Sequence, residues 1–283
     1  MCSKLASLSA ALFWTTLVSG HGHVSQVTID GISYYGHDPT KVPWGPQPDS
    51  ITWSNGAKDN GYVASDPVSL ASREVNCHLN ATNGKLVAQA AAGSDVAVTW
   101  NDWPESHHGP VIDYMADCGE DCTTVDLDAL RWFKIDETGQ LEKSTVGGVA
   151  GRWATDFLIE KNLTWTVTIP AHLKPGNYVL RHELIALHPG GAENSTQLYP
   201  QCINLNVTGK GTVLPKGIPG SQLYSSTDPG FVHNIYTDYW LPDRTYTIPG
   251  PSVFKFMSIT YFIRLSSRHR LTGANFDLDN RHG

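Results

Sequence analysis

The chain has 283 residues, 17% of them charged and 40% hydrophobic, with 20 Lys and Arg against 27 Asp and Glu and a formal net charge of -7. That length suits one large domain or two modest ones and can bury a sizeable core. The low charge content excludes a coiled coil or a charge-rich disordered chain, and an acidic chain without a basic run is a poor partner for nucleic acid or an anionic membrane.

Residues 1–20 read as a secretory leader. Lys4 supplies the positive start, and 5–18 is a mostly apolar, uncharged run, too short to span a bilayer core of about 30 Å. Ser19 and Gly20 are small enough for a cleavage site. No later stretch reaches membrane-spanning length, so the mature chain is expected to be soluble and extracellular. Removing the leader takes away Lys4 and no acid, so the net charge moves from -7 to -8. Cys2 leaves with it, and the five cysteines become Cys77, Cys118, Cys122 and Cys202. An even number in an oxidising compartment suggests two disulfides. Cys118 and Cys122 are close enough to staple one loop, which leaves Cys77 with Cys202. A zinc site is the rival reading, but the spacing lacks a second close pair.

Cleavage after Gly20 makes His21 the first mature residue. A terminal histidine offers an α-amine and an imidazole Nδ1 that can chelate one ion, and both can be neutral near neutral pH. One further imidazole would complete three nitrogens, a set suited to Cu(II). Cleavage after Gly22 would expose His23 instead. Segment 36–76 is loop-rich, with four prolines near Trp44 and Trp53. Segment 94–100 then alternates, placing Val96, Val98 and Trp100 on one strand face. His107 and His108 are adjacent in a loop bounded by Pro and Gly. Segment 163–169 puts Leu163, Trp165, Val167 and Ile169 on one face and threonines on the other. In the strand 178–188, His182, Leu184, Ala186 and His188 share a face, with His188 at its end before Pro189-Gly190-Gly191. Gln197 and Tyr199 share a face of an extended segment that leads into the strand 201–207, and Tyr199 has the parity of core residues. From about Phe254 the chain turns basic and irregular. Four sequons, at Asn80, Asn162, Asn194 and Asn206, agree with secretion. Short strands, turn clusters and no long amphipathic helix predict an all-β antiparallel sandwich.

Each histidine taken singly has an ordinary structural explanation; the combination is far more specific. His21-Gly22-His23-Val24 after the leader, SHHGPV at 106–111, RHELIALH at 181–188, QLYPQC at 197–202, DPGFVHNIY at 228–236 and YTIPGP at 246–251 together resemble the fungal lytic polysaccharide monooxygenases of auxiliary activity family 9. The resemblance covers about 21–254, giving a leader at 1–20, one copper monooxygenase domain at 21–254 and a tail at 255–283 with no carbohydrate-binding module. It implies an immunoglobulin/fibronectin-like β-sandwich whose long loops form a flat copper-bearing face. It further implies one copper held by His21 and His107, with Tyr199 axial and His188 and Gln197 hydrogen-bonding the oxygen co-substrate. His108 is not carried over as a ligand. Tyr246 matches a sugar-stacking position, and Tyr34, Tyr35 and Tyr239 are further candidates. The family's inter-sheet disulfide would be Cys77–Cys202. The implied activity is oxidative cleavage of cellulose by a monomer that takes electrons from a small reductant or a secreted dehydrogenase. Two other functions compete. A glycoside hydrolase needs a carboxylate pair, and none stands out; Glu183 lies on the strand face opposite His182 and His188. A non-catalytic carbohydrate- or copper-binding sandwich has less need of Gln197 beside His188.

Overall fold

The computed structural model describes residues 21–255; the expected leader, and the expected tail beyond Lys255, lie outside the described residues. In chain order the strands are β1 (Val24–Ile29), β2 (Ile32–Tyr35), β3 (Val63–Ala64), β4 (Ala88–Ala91), β5 (Asp95–Trp100), β6 (Val111–Gly119) and β7 (Arg131–Thr138). They continue as β8 (Gln140–Glu142), β9 (Arg152–Trp153), β10 (Thr164–Thr168), β11 (Gly176–Ala186), β12 (Gln197–Thr208) and β13 (Ile218–Pro219). Among the described residues three short α-helices intervene, α1 (Pro67–Ala71), α2 (Glu74–Cys77) and α3 (Ala154–Glu160). Among the described residues no helix is long and apolar enough to cross a membrane.

Alternation builds the smaller sheet, ordered β10-β5-β1-β2. Val96, Val98 and Trp100 of β5 are buried, as are Trp165 and Val167 of β10, while Thr166 and Thr168 face solvent. The larger sheet runs β13-β7-β6-β11-β12-β3, with β4 added beside β12. The two sheets close on one core in which Val27, Val98, Trp100 and Val167 meet Leu180, Leu184, Tyr199 and Ile203. Burying each aliphatic side chain of this kind stabilises the fold by about 1.5–3 kcal/mol. The architecture is the expected antiparallel β-sandwich.

The larger sheet departs from simple alternation. Nearly every residue of β11 is buried, because loops cover the sheet's outer face as well. Trp53, Leu70, Val75, Leu223, Phe231 and Ile235 form a second core there against Ile112, Val179, Ile185 and Leu198. Strand β12 starts four residues before the expected 201, since Gln197 and Leu198 pair both with β11 and with β3. The pairing of β12 with β4 is parallel, unlike the rest of the sheet. Cys77 is bonded to Cys202, joining the covering loops to β12 across a sequence separation of 125, and Cys118 is bonded to Cys122.

The outer core encloses a fully buried ion pair. Arg181 donates to both carboxylate oxygens of Glu183, at 2.9 and 2.6 Å, and to the carbonyls of Val75 and Asn76, each at 2.8 Å. Tyr224 donates its hydroxyl to the same carboxylate, and the Arg181 guanidinium lies 5.2 Å from the Tyr114 ring centroid. Charges out of water are tolerated only when so fully satisfied. Replacing Glu183 by Gln should therefore lower unfolding free energy by about 3–5 kcal/mol, because Arg181 keeps its charge without a counter-charge. Equilibrium denaturant unfolding measures this, and a loss under about 1 kcal/mol would contradict the assigned pairing.

Candidate metal centre

The hairpin of β11 and β12 places three side chains at one end of the sandwich. Its register pairs Leu184 with Tyr199 and Ala186 with Gln197. His188 therefore leaves one strand where Gln197 enters the other. The loop carrying His107 is laid across the same end by backbone bonds from Leu187 to His108 and from Ile185 to Pro110, at 2.9 and 3.2 Å. Gly109 permits that approach, since a Cβ there would stand 1.9 Å from the Ile185 carbonyl oxygen. His21 arrives from the start of β1. Gly22 passes so close to the main chain of Asp102 that a Cβ would lie 2.0 Å from its oxygen.

These segments bring the histidines together. The His21 and His107 rings are 5.2 Å apart between centroids and nearly perpendicular, at 77°. The Tyr199 ring lies 5.7 Å from His21, stacked at 28°. His188 packs on the other side of His107, at 4.0 Å. Tyr199 donates its hydroxyl to Gln197 Oε1 at 2.8 Å, and the Gln197 side chain also hydrogen-bonds the His21 ring. Among the described residues the buried His107 Nε2 and His188 Nδ1 have no hydrogen-bond partner. Buried polar atoms are rarely left so, which makes His107 Nε2 an available electron-pair donor inside the cluster.

Electrostatics keep these rings neutral. Burial pushes the His107 imidazole down to about 3, helped by the neighbouring His188, His21 and His108. Burial also lowers His21, against the opposing pull of the Asp59 carboxylate and the Gln197 hydrogen bond. His188 is lowered by burial and then by His21 and His108. The Tyr199 phenol is pushed far upward by burial, so it stays protonated. Neutral imidazoles are the form that binds metals.

Neighbouring histidines are engaged elsewhere. His108 Nδ1 is bonded to Asp156 at 2.8 Å, and that carboxylate also accepts from the Trp153 amide at the start of α3. His23 is buried, its Nδ1 on Asn60 Oδ1 at 2.9 Å and its backbone amide on Asn101 Oδ1 at 2.7 Å. A chain beginning at His23 would thus bring no free imidazole to the cluster. Glu183 is sealed on the far face of the sheet. Among the described residues no three His, Cys, Asp or Glu side chains converge on one metal position. A metal held by His21 and His107 would therefore take a third nitrogen from the main chain, as a terminal His21 amine can supply.

One aromatic expectation needs correction. Tyr246 is only 9% exposed, packed against Trp153 at 4.7 Å and His233 at 5.1 Å, with its hydroxyl bonded to the Gly230 carbonyl. Its ring is a core element, not a stacking platform. Tyr34 is half-buried on β2 against the inter-sheet core. Tyr35 and Tyr239 are exposed. Tyr62, not anticipated from sequence, lies 6.0 Å from His21 and 6.1 Å from Tyr199 and is 39% exposed. Its only signal was a place in the loop-rich segment 36–76. Trp44 and Trp240 also present rings to solvent.

The model of Auxiliary Activity family 9, formerly GH61, matches residues 21–246. The chain belongs to this family. An AA9 lytic polysaccharide monooxygenase A from Talaromyces verruculosus is 48% identical over 253 residues, covering 89% of this chain and 74% of the relative. An AA9 lytic polysaccharide monooxygenase E from Aspergillus tamarii is 46% identical, covering 89% of this chain and 98% of its own length. Among solved structures, the extended catalytic domain of a family 9 enzyme from H. jecorina superposes with a TM-score of 0.77 at 44% identity, over 84% of this chain and 92% of that one. A cellulose-active polysaccharide monooxygenase from M. thermophila superposes with a TM-score of 0.68 at 35% identity, over 83% and 99%. The family is one of copper-dependent oxidative enzymes acting on polysaccharide, and the cluster's neutral nitrogen donors suit such an ion.

The buried neutral imidazole has a consequence for the metal-free protein. The His107 value is lower folded, about 3, than the usual 6.5 of an unfolded chain. The unfolded chain therefore binds more protons between these values, and the native state loses stability as pH falls from about 6.5 toward 3. Denaturant midpoints of the metal-free protein should fall across that window. His107→Phe should flatten the slope, and an unchanged slope would contradict the buried neutral assignment.

Proposed function

We propose that the protein is a secreted, monomeric, copper-dependent monooxygenase that cleaves the β-1,4-glucan chains of cellulose by oxidation at C1, C4 or both. One copper ion per chain would be held by the amine and imidazole of His21 and by His107, with Tyr199 beyond. The observation that carries the reading is the facing pair of His21 and His107, 5.2 Å apart, with His107 Nε2 buried and unclaimed. Leader removal at Gly20, a catalytic domain over 21–254 and a separate tail over 255–283 belong to the same proposal, as does N-glycosylation at Asn80, Asn162, Asn194 and Asn206.

Copper, when bound, supplies one-electron redox chemistry, accepting electrons from a small reductant or a secreted dehydrogenase and activating O2 or H2O2. The chain's own groups do the rest. Gln197, held by the Tyr199 hydroxyl and touching His21, presents its amide where the co-substrate arrives. His188, kept neutral by burial, can take up or release a proton there. Tyr199, kept protonated by burial, offers a neutral oxygen that adds no charge to the site. Tyr62 stands beside His21 at the surface and offers a ring face to a sugar. Cellulose as substrate is supported by the cellulose-active M. thermophila relative, which matches over nearly its whole length.

The deciding test is mass spectrometry of soluble products from cellulose incubated with the copper-loaded mature protein, with and without ascorbate. Aldonic acids or 4-ketosugars should appear only with reductant, and their ratio reads the oxidised carbon. Reductant-independent native oligosaccharides would mean a hydrolase, and no products with copper bound would mean a substrate other than cellulose or a non-catalytic binder. His107→Ala should abolish tight copper binding in calorimetry and His108→Ala should spare it; the reverse pattern would reassign the ligand. Tyr62→Ala should weaken binding to cellulose several-fold in pull-down assays. Tyr246→Phe should leave that binding unchanged and cost about 1 kcal/mol of stability through its lost hydrogen bond. Weakened cellulose binding in Tyr246→Phe would restore a surface role to that ring.

A further inference from the structure

The loops ahead of β4 carry three Asn-Gly steps, Asn55-Gly56, Asn60-Gly61 and Asn83-Gly84. Such a step can close on itself. The glycine nitrogen, unshielded by any Cβ, attacks the side-chain amide carbon of the asparagine before it. The three steps sit in different surroundings.

Two of them are held against reaction. The Gly56 amide donates to the Leu79 carbonyl at 2.7 Å, and Asn55 Oδ1 accepts from the Ala57 amide at 3.0 Å. A main-chain carbonyl is no base for the nitrogen it holds. Asn83 Nδ2 donates to the carbonyls of Cys122 and Val125, at 2.9 and 3.0 Å, and Gly84 is pressed on the Ile51 main chain. There the group that must depart is the one that is fastened.

Asn60-Gly61 is arranged the other way. The Gly61 amide donates to Asp59 Oδ1 at 2.9 Å. Asp59 is exposed, so its carboxylate can exchange a proton with water. Asn60 Oδ1 meets His23 Nδ1 at 2.9 Å, which gives the amide oxygen a donor. Among the described residues Asn60 Nδ2 makes no hydrogen bond. His78 Nε2 lies 3.0 Å from the Gly61 carbonyl oxygen and keeps the glycine in place. A proton acceptor at the nucleophile, a donor at the oxygen and a free leaving group thus meet on one dipeptide.

We propose that Asn60-Gly61 is a self-modification site, at which the chain converts its own asparagine to aspartate and isoaspartate. Water is the only co-reactant. The Gly61 nitrogen bonds to Asn60 Cγ, and its proton, made acidic by that attack, moves to Asp59. Asn60 Oδ1 carries the transient negative charge against His23 Nδ1. The Cγ–Nδ2 bond then breaks, and the nitrogen leaves as ammonia with the proton that Asp59 took up. Water opens the cyclic imide at either of its carbonyls. Opening at Cγ leaves aspartate at 60 with the main chain unchanged. Opening at the main-chain carbonyl leaves isoaspartate, whose backbone runs through Cβ and Cγ and is one methylene longer.

The consequence for the surface rests on the copper monooxygenase reading. Tyr62 stands two residues on, beside His21, and a lengthened main chain at 60 moves its ring. Ageing therefore removes the hold on polysaccharide while the sandwich stays folded.

The experiment ages the mature protein in mildly alkaline buffer for weeks and follows it by peptide mass mapping that separates aspartate from isoaspartate. The same chain unfolded in urea gives the reference rate of each step. Relative to those references, Asn60 should convert in the native protein several-fold faster than Asn55 and Asn83. Asp59→Ala should slow Asn60 several-fold and leave the other two unchanged, and their unchanged rates report an intact fold. Native protection of Asn60 equal to that of Asn55 and Asn83 would overturn the proposal. So would an Asn60 rate in Asp59→Ala equal to wild type. In a cellulose pull-down of partly aged protein, isoaspartate at 60 should be enriched several-fold in the unbound fraction, and an even split would overturn the effect on the surface. Unaged protein that binds no cellulose would count against the monooxygenase reading, while the conversion rates still decide the site itself.

Discussion

The pairing of β11 with β12 is the constraint on which the site depends. Eleven successive partners, from Gly176 with Val207 to Ala186 with Gln197, set the register. A slip of one residue would either turn Tyr199 of β12 from the inter-sheet core to the outer core or exchange the faces of His182 and Glu183 on β11. Chemistry on the two sides is opposite in character. The inner face carries Tyr199 and the rings of the candidate metal centre, and the outer face holds a paired Arg181 and Glu183. The strand's alternating polarity keeps these apart by a single backbone thickness. The bond from Cys77 to Cys202 fastens the same strand to its cover three residues from Tyr199.

Much of this was legible in the sequence, for identifiable reasons. Strands β5 and β10 declared themselves because one face meets the core and the other meets water. Parity alone placed Tyr199 inward and Glu183 outward. The end of β11 was readable from Pro189-Gly190-Gly191, so His188 was expected at a rim. Burial on both faces was not legible in β11, since a doubly covered strand has no polar side to alternate with. The cover comes from loops far away in sequence, and no local pattern announces such packing.

Aromatic roles were the least legible. Whether a tyrosine is a platform or a core ring depends on what packs over it. Tyr246 is covered by Trp153 and His233, contributed by distant segments, while Tyr62 is left open beside His21. The distinction between His107 and His108 was likewise set by a remote partner, Asp156, which holds one ring of the adjacent pair away from the centre.

The grip on the chain's first described strand falls on His23, through Asn60 and Asn101, and on the close passage of Gly22 past Asp102. His21 lies ahead of those anchors, its ring against Tyr62, His107 and Tyr199 and hydrogen-bonded to Gln197. Folding and competence are thereby uncoupled at this point. The sandwich cores and both disulfides are built from residues after His21, so on the proposed processing at Gly20 the fold does not register which bond is cut. On that proposal, fidelity of the centre would rest with the protease that removes the leader.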